Sequence, residues 1–408
     1  MNKNIVIIAT LFIAGVAQGQ ESAINAILQQ IEANNKELQA NTQLISSQKL
    51  ENRAENNLPD PTLSYAHLWD SQNSDETVGE LVVAQSFDFP TLYATRSKMN
   101  RLKSNALDAQ ATAFRQEVLL QAKEVCLDII MLHKQQQLLN IRLENAEELS
   151  ALYKQRLETG DANILEINKL NLELLNVRTE VRMNRSTLGN KLKELQALNG
   201  NQMLTAGRPQ PDMQTPTAEV LGLTEYPIAV LPEDVRPLIA ELITEDAALQ
   251  LLNSENEVAR KQLSASRQGW LPKLELGYRR NTENGHPLNG IVVGFSIPIF
   301  ENRKKVKAAK AQANSTDYLA ENAQTKAYTN LWQLCDEANS LHSSIQEYKQ
   351  TLGEQQNLTL LKQALEGGEL SLIEYFVEAS VVYQSQANLI ELENQYQKTL
   401  SRIYKSRL

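Results

Sequence analysis

The side chains that could do chemistry in this chain are few and scattered. Its four histidines, His67, His133, His286 and His342, stand far apart, without the close spacing that holds zinc or a similar metal. No glycine-rich loop followed by Lys and Ser or Thr offers a cradle for phosphates, and no catalytic motif stands out. The sequence predicts no enzyme, no metal site and no cofactor, so energy for any work must come from a partner. Glu374 and Glu378 do keep a meaningful spacing: one helical turn apart, they share one face of a helix. Cys126 and Cys335 fall inside helical segments at related positions. Their spacing leaves a bridge open, and two separate buried thiols are the preferred reading, because free cysteine commonly behaves as a small core residue.

The elements that carry these residues follow from glycine and proline, which interrupt regular helices. Residues 20–58, 91–159, 161–188, 238–268 and 369–408 contain neither, and 299–366 contains only Gly353. A run such as 91–159 is far longer than an ordinary globular helix, which points to a coiled coil or helical array. Within it Val118, Leu119, Ala122, Val125, Cys126, Ile129 and Ile130 recur in three- and four-residue steps, predicting a packing seam and a polar back.

Two short regions change period. Leu63, Tyr65, His67 and Trp69 alternate onto one face, and Val78, Val82 and Ala84 oppose Leu81, Val83 and Phe87. In the second half Leu274, Leu276 and Tyr278 fall together, as do Ile291, Val293, Phe295 and Ile297. These are hairpins joined by the polar loops QNSDE and ENGHP. Each strand is about ten residues long, enough to cross an outer membrane when tilted.

Pro90 and Pro298 lie 208 positions apart, and so do Gly160 and Gly368; GDANILEI at 160–167 resembles GELSLIEY at 368–375. The chain reads as a duplication: 20–199 as helix, β-hairpin (about 61–88) and long helical hairpin (91–199), and 238–408 as helix, β-hairpin (about 272–298) and long helical hairpin (299–408). Between them 200–237 carries six of the 12 prolines and cannot be one helix.

Residues 1–19 have a lysine at position 3, an apolar run and small residues at Ala17 and Gly19, the pattern of a cleaved signal peptide. The net charge of -9 argues against nucleic acid as a partner. Four strands cannot hide their edges in lipid, where every backbone polar group must be paired, so copies must combine into a closed barrel.

The signal peptide, the tandem hairpins, GWLPKLELGY followed by GIVVGFSIPIFENRKK, and the pair LETGDANILEINKLN and LEGGELSLIEYF together resemble the outer membrane efflux protein (TolC) family, over essentially the whole mature chain. The resemblance implies a mainly α fold with a small membrane β-barrel. Three protomers of a homotrimer would each give four strands to a twelve-stranded barrel, continued by tandem long helical hairpins as a periplasmic α-helical barrel. It implies an exit duct in the outer membrane, in contact with its lipid, that passively conducts solutes from an inner-membrane pump of RND type and a periplasmic adaptor. The 200–237 join would form a belt around the helical barrel. Protein secretion of type I is the alternative cargo route, and a periplasmic helical adaptor or scaffold the rival of another class. Short strand connections and moderate length resemble the heavy-metal cation efflux branch.

By the same resemblance Thr159, Gly160 and Asp161, with Gly367, Gly368 and Glu369, are the periplasmic tips that meet the adaptor. Pro90 and Pro298 mark the passage from barrel to helix. Glu374 matches the family's constriction aspartate, and with Glu378 would set acidic rings in a trimer that favour cations. Leu370 and Leu365 replace an arginine and a tyrosine that some members use in closed-state bonds, so closure here would rest on apolar packing and charge.

Overall fold

The computed structural model describes residues 23–69, 77–205, 217–283, 286–296, 298, 300, 302–353 and 357–408. The expected signal peptide, the QNSDE loop, Ile297 and the first three prolines of the join lie outside them. In order come α1 (23–34), α2 (Lys36–Ala54), β1 (Thr62–Trp69), β2 (Thr77–Phe87), α3 (Pro90–Thr159), α4 (Ile164–Leu198), α5 (Arg236–Glu245) and α6 (Ala247–Gln268). Then follow β3 (Lys273–Glu283), β4 (His286–Ser296), α7 (Lys305–Gly353), α8 (Asn357–Glu366), α9 (Leu372–Ile403) and a short 3₁₀ turn at Lys405–Arg407.

Several helix boundaries differ from those that glycine and proline alone predict, and polar side chains explain them. The 20–58 run breaks at Asn35, whose Oδ1 accepts from the Leu38 amide at 2.9 Å while its Nδ2 donates to the Leu198 carbonyl at 2.9 Å. Asp246 divides 238–268 in the same way, accepting from the Ala248 and Leu249 amides. Such side chains offer the backbone a local alternative to the helix. Gly189 does not end a helix; α4 runs through it to Leu198, at the modest cost of an interior glycine.

Two compact units result. One gathers the chain through Gln39, Phe114–Leu242 and Tyr328–Leu408. Its core packs Leu119, Ala122, Val125, Cys126, Ile129 and Ile130 of α3 against Ile24, Ile27 and Ile31 of α1, Leu195 of α4 and Leu221 and Leu223 of the following turns. The expected seam is there, but the polar back is not: Leu120, Leu127 and Leu132 are buried as well. This stretch of α3 is enclosed on most sides. Cys126 and Cys335 are both buried and unbridged.

The other unit, Ala40–Ala113 with Ile243–Ala327, contains one antiparallel sheet in the order β1-β2-β3-β4. The register aligns Leu63, Val83, Tyr278 and Ile291 in one cross-strand row. Because paired residues point to the same side, alternation along each strand then fixes two faces. Leu63, Tyr65, Trp69, Leu81, Leu276, Val293 and Phe295 belong to one. The other carries the charges, Glu80, Glu275 and Arg279, with Ser64, Ser86 and three glycines, Gly277, Gly290 and Gly294, among smaller apolar residues such as Val78, Val82, Ala84 and Val292. Glycine at 277 is required by proximity, since a Cβ there would lie 2.7 Å from the Val83 carbonyl. Glu80 and Arg279 form a cross-strand ion pair on the polar face. Among the described residues both outer strands, β1 and β4, lack a partner on their far side.

The passages from strand to helix are unlike in the two repeats. After β2 only two residues intervene before Pro90 opens α3, where its missing N–H is no loss and its fixed φ suits the first turn. There Asp88 is held by Arg96 at 2.7 Å and by the Tyr93 hydroxyl, which accepts from its amide. Pro298 is buried but opens no helix; α7 begins at Lys305, after a turn in which Lys304 has φ +69°. Asn302 Nδ2 donates to the Gly269 carbonyl across this turn.

Candidate channel site

Both hairpin tips are built from the same backbone parts. At the first, Gly160 has φ +84°, its amide donates to the Leu157 carbonyl at 3.2 Å, and the Asp161 amide reaches Arg156 at 2.8 Å. At the second, Gly368 has φ +76°, its amide donates to Leu365 at 3.2 Å, and the Glu369 amide reaches Ala364 at 2.9 Å. This paired pattern is the Schellman motif, whose left-handed residue glycine adopts without steric penalty. Thr159 Oγ1 adds a bond to Asp161 Oδ2 at 3.1 Å. Thr159, Gly160, Asp161, Gly367, Gly368 and Glu369 are all exposed.

Three residues past each left-handed glycine a new helix begins with a reciprocal cap. Asn163 Oδ1 accepts from the Leu165 and Glu166 amides, and Glu166 Oε2 accepts from the Asn163 amide at 2.8 Å. Ser371 Oγ accepts from the Glu374 amide at 3.3 Å, and Glu374 Oε2 accepts from the Ser371 amide at 2.9 Å and hydroxyl at 2.8 Å. These are capping boxes, each satisfying donors that a helix N-terminus otherwise leaves unpaired. Asn163 and Ser371 did not emerge from spacing as site residues. The signal was available, since Asn or Ser three residues before Glu marks such a box, and the 208-residue offset repeats it.

Glu374 therefore has a defined local task. Backbone and hydroxyl hydrogen bonds from Ser371 hold its carboxyl below the usual range, so it is anionic at neutral pH. Glu378, one turn on, is exposed with it, on the side of α9 turned away from buried Tyr375 and Ala379. Leu165 and Ile373, equivalent positions of the two repeats, stand 74% and 54% exposed just beyond the tips.

Behind the tips the hairpins are joined by a core of Leu149, Tyr153, Ile167, Leu170, Leu365, Leu372 and Tyr375. Leu365 is buried there; Leu370 is half-buried. Polar ties flank the core. The Asn145 amide donates to the Tyr383 hydroxyl at 2.7 Å, Arg142 pairs with Glu173 at 2.7 Å and Glu180 at 3.0 Å, and Lys362 pairs with Glu148 at 2.5 Å.

The histidines stay apart. His133 is buried with Nδ1 3.3 Å from Glu219, His342 lies beside Tyr396 with its ring tilted 42° to it, and His67 lies beside Trp69. Among the described residues no cluster of metal-ligating side chains forms, and no helix is long and apolar enough to cross a membrane.

Comparison with known proteins agrees with this arrangement. Residues 238–406 match the family model of the outer membrane efflux proteins. No curated protein matches the chain in sequence. Among solved structures, CusC, known from crystal structures on folding and transmembrane channel formation, is 16% identical with a TM-score of 0.77, covering 94% of this chain and 91% of its own. The outer membrane protein VceC of Vibrio cholerae is 13% identical with a TM-score of 0.75 over 94% and 95% of the two chains. The open-state MtrE outer membrane channel of Neisseria gonorrhoeae is 12% identical with a TM-score of 0.74 over 96% and 88%. The chain thus carries the match to the outer membrane efflux protein family in residues 238–406, and has the fold of these outer-membrane channels over nearly its whole length.

Proposed function

We propose that the protein is the outer-membrane exit duct of a tripartite efflux system, a passive channel through which solutes supplied by an inner-membrane pump and a periplasmic adaptor leave the cell. The observation that carries this reading is the sheet. Four strands of 8 to 11 residues with one apolar and one polar face, open at both edges, suit a wall between lipid and water that only further copies of the chain can close. A trimer closes it with twelve strands, reached after export by a cleaved signal peptide.

At the other functional region, the two exposed tips with Leu165 and Ile373 beside them offer the adaptor a matched pair of docking points. Glu374 and Glu378, repeated around a three-fold axis, favour cations in a narrow lumen, in keeping with metal cations as cargo. Extraction from outer membranes in detergent should yield a trimer that conducts ions in planar bilayers. Recovery as a soluble periplasmic monomer without conductance would overturn the proposal.

A further inference from the structure

The helix end of the sheet carries a concentration of positive charge that the chain as a whole lacks. Although the net charge is -9, residues 302–310, on the passage from β4 into α7, hold Arg303, Lys304, Lys305, Lys307 and Lys310 and no acid. All five are exposed. Among the described residues no ion pair or hydrogen bond engages the side chains of Arg303, Lys304, Lys307 or Lys310. Glu301, just before them, lies outside the described residues.

The helix they sit on does not explain them. α7 has no acidic residue in its first turn, so these cations stand unopposed at the positive end of its dipole. Lys307 and Lys310 are three residues apart, neighbours on a helix surface where like charges repel. Neither is used in packing, since the buried side of the helix holds Ala309 and Ala313. A cluster that works against its own helix is matched by negative charge from outside the chain.

Position says which negative charge is near. Asn302 is bonded to the Gly269 carbonyl, and Lys305 lines one cavity together with Lys273 and Pro298. Lys273 is the first residue of β3 and pairs with Ser296, the last of β4, so the cluster starts where the strands end. Lys310 lies five residues into α7, about 7.5 Å along its axis. A headgroup layer is about 5–8 Å thick on each side of a bilayer, and its negative potential reaches about 8 Å beyond. Trp270 and Phe300, next to Gly269 and in the same turn as Asn302, are 51% and 81% exposed. Aromatic rings of this kind form the girdles that mark a membrane boundary.

We propose that residues 302–310 form a docking surface for the anionic phospholipids of the periplasmic leaflet, whose phosphates meet Arg303, Lys304, Lys307 and Lys310. This rests on the reading of the sheet as a membrane wall. The test places full-length protein in nanodiscs of equal parts phosphatidylglycerol and phosphatidylcholine, and counts by native mass spectrometry the lipids retained after detergent exchange. Wild type should retain phosphatidylglycerol over phosphatidylcholine by about fivefold, the contribution of one cation near an anionic surface, and less at raised ionic strength. The triple variant Arg303→Gln, Lys307→Gln, Lys310→Gln should bring the ratio close to parity. Lys307→Arg should keep it, since such a surface reads charge. Lys326→Gln should leave it unchanged, because Lys326 is exposed on the same helix but about 32 Å along it. Equal retention of the two lipids by wild type, or a preference that survives the triple variant in protein that still conducts, would overturn the docking surface while leaving the channel intact. So would a triple variant that shifts the ion selectivity of the channel without moving the lipid ratio, because the cations would then line the lumen. Wild type that neither enters the nanodisc nor conducts would overturn the membrane-wall reading, and this proposal with it.

Discussion

Glu374 has two roles to separate, because the carboxylate that would narrow the pore also closes the capping box of its own helix. Ser371→Ala removes the cap and leaves the charge; Glu374→Gln removes the charge and leaves a side chain that can still accept from the Ser371 amide. Loss of an N-cap serine costs about 1 kcal/mol, and division by RT gives about a fivefold change in local opening. Ser371→Ala should therefore lower hydrogen-exchange protection of the Glu374 and Tyr375 amides about fivefold. Those amides are the ones that donate to the Ser371 hydroxyl and carbonyl, at 3.3 and 3.0 Å. In planar bilayers Glu374→Gln should shift the permeability ratio away from cations, while Ser371→Ala leaves it unchanged. Since the folded carboxyl titrates below its usual range, cap support is fully present above the ordinary carboxylate pKa and is lost as pH falls through the folded value. Less than a twofold change in exchange on Ser371→Ala would refute the cap. Equal shifts of selectivity in both variants would refute the charge ring, because geometry rather than charge would then set the ratio.

The glycines give a second prediction: Gly160→Ala and Gly368→Ala should each destabilise their tip by about 1 kcal/mol through backbone strain alone, since no neighbour lies within 4 Å of either Cβ position. Gly189→Ala, inside α4 and equally unobstructed, should instead stabilise by about 0.5–1 kcal/mol; urea unfolding separates the two signs. The third concerns Cys126, whose thiol burial pushes up to about 12 from its ordinary 9.0. The folded value exceeds the unfolded one, so its contribution is complete below pH 9.0 and lost between that and about pH 12. Iodoacetamide at pH 8 should label Cys126 only after unfolding, and labelling of native protein at the unfolded rate would contradict its burial.

Periodicity and breakers went far in this chain because its elements are long. A helix such as α3 leaves no Gly or Pro for 69 residues after Pro90, and strands that put apolar and polar residues on opposite faces show a two-residue period. What spacing missed depends on side chains that reach elsewhere. Asn35 takes the Leu38 amide locally, as an N-cap does, but the bond that also holds it, to the Leu198 carbonyl, comes from 163 positions away. The core around α3 likewise comes from segments distant in sequence, α1, α4 and the turns before α5, which no window on α3 contains. The capping boxes were legible from their spacing, and at Glu374 the resemblance drew attention to a pore role while the local role lay three residues upstream.

The two helical hairpins are alike in some features and unlike in others. At an offset of 208 the left-handed glycines, the N-caps and the capping glutamates coincide in structure as well as in sequence. Each ends or begins a helix by bonding its own backbone, so the solution works wherever the hairpin stands. Pro90 and Pro298 share the same offset but not the same structure, because one opens a helix directly and the other precedes a turn held by Asn302 to Gly269. That turn depends on a neighbouring segment, and neighbours differ between the first and second positions in a sheet ordered β1-β2-β3-β4. β2 is an inner strand, whereas β4 is an edge. From that edge strand the chain reaches α7 only at Lys305, after Lys304 with its left-handed φ of +69°.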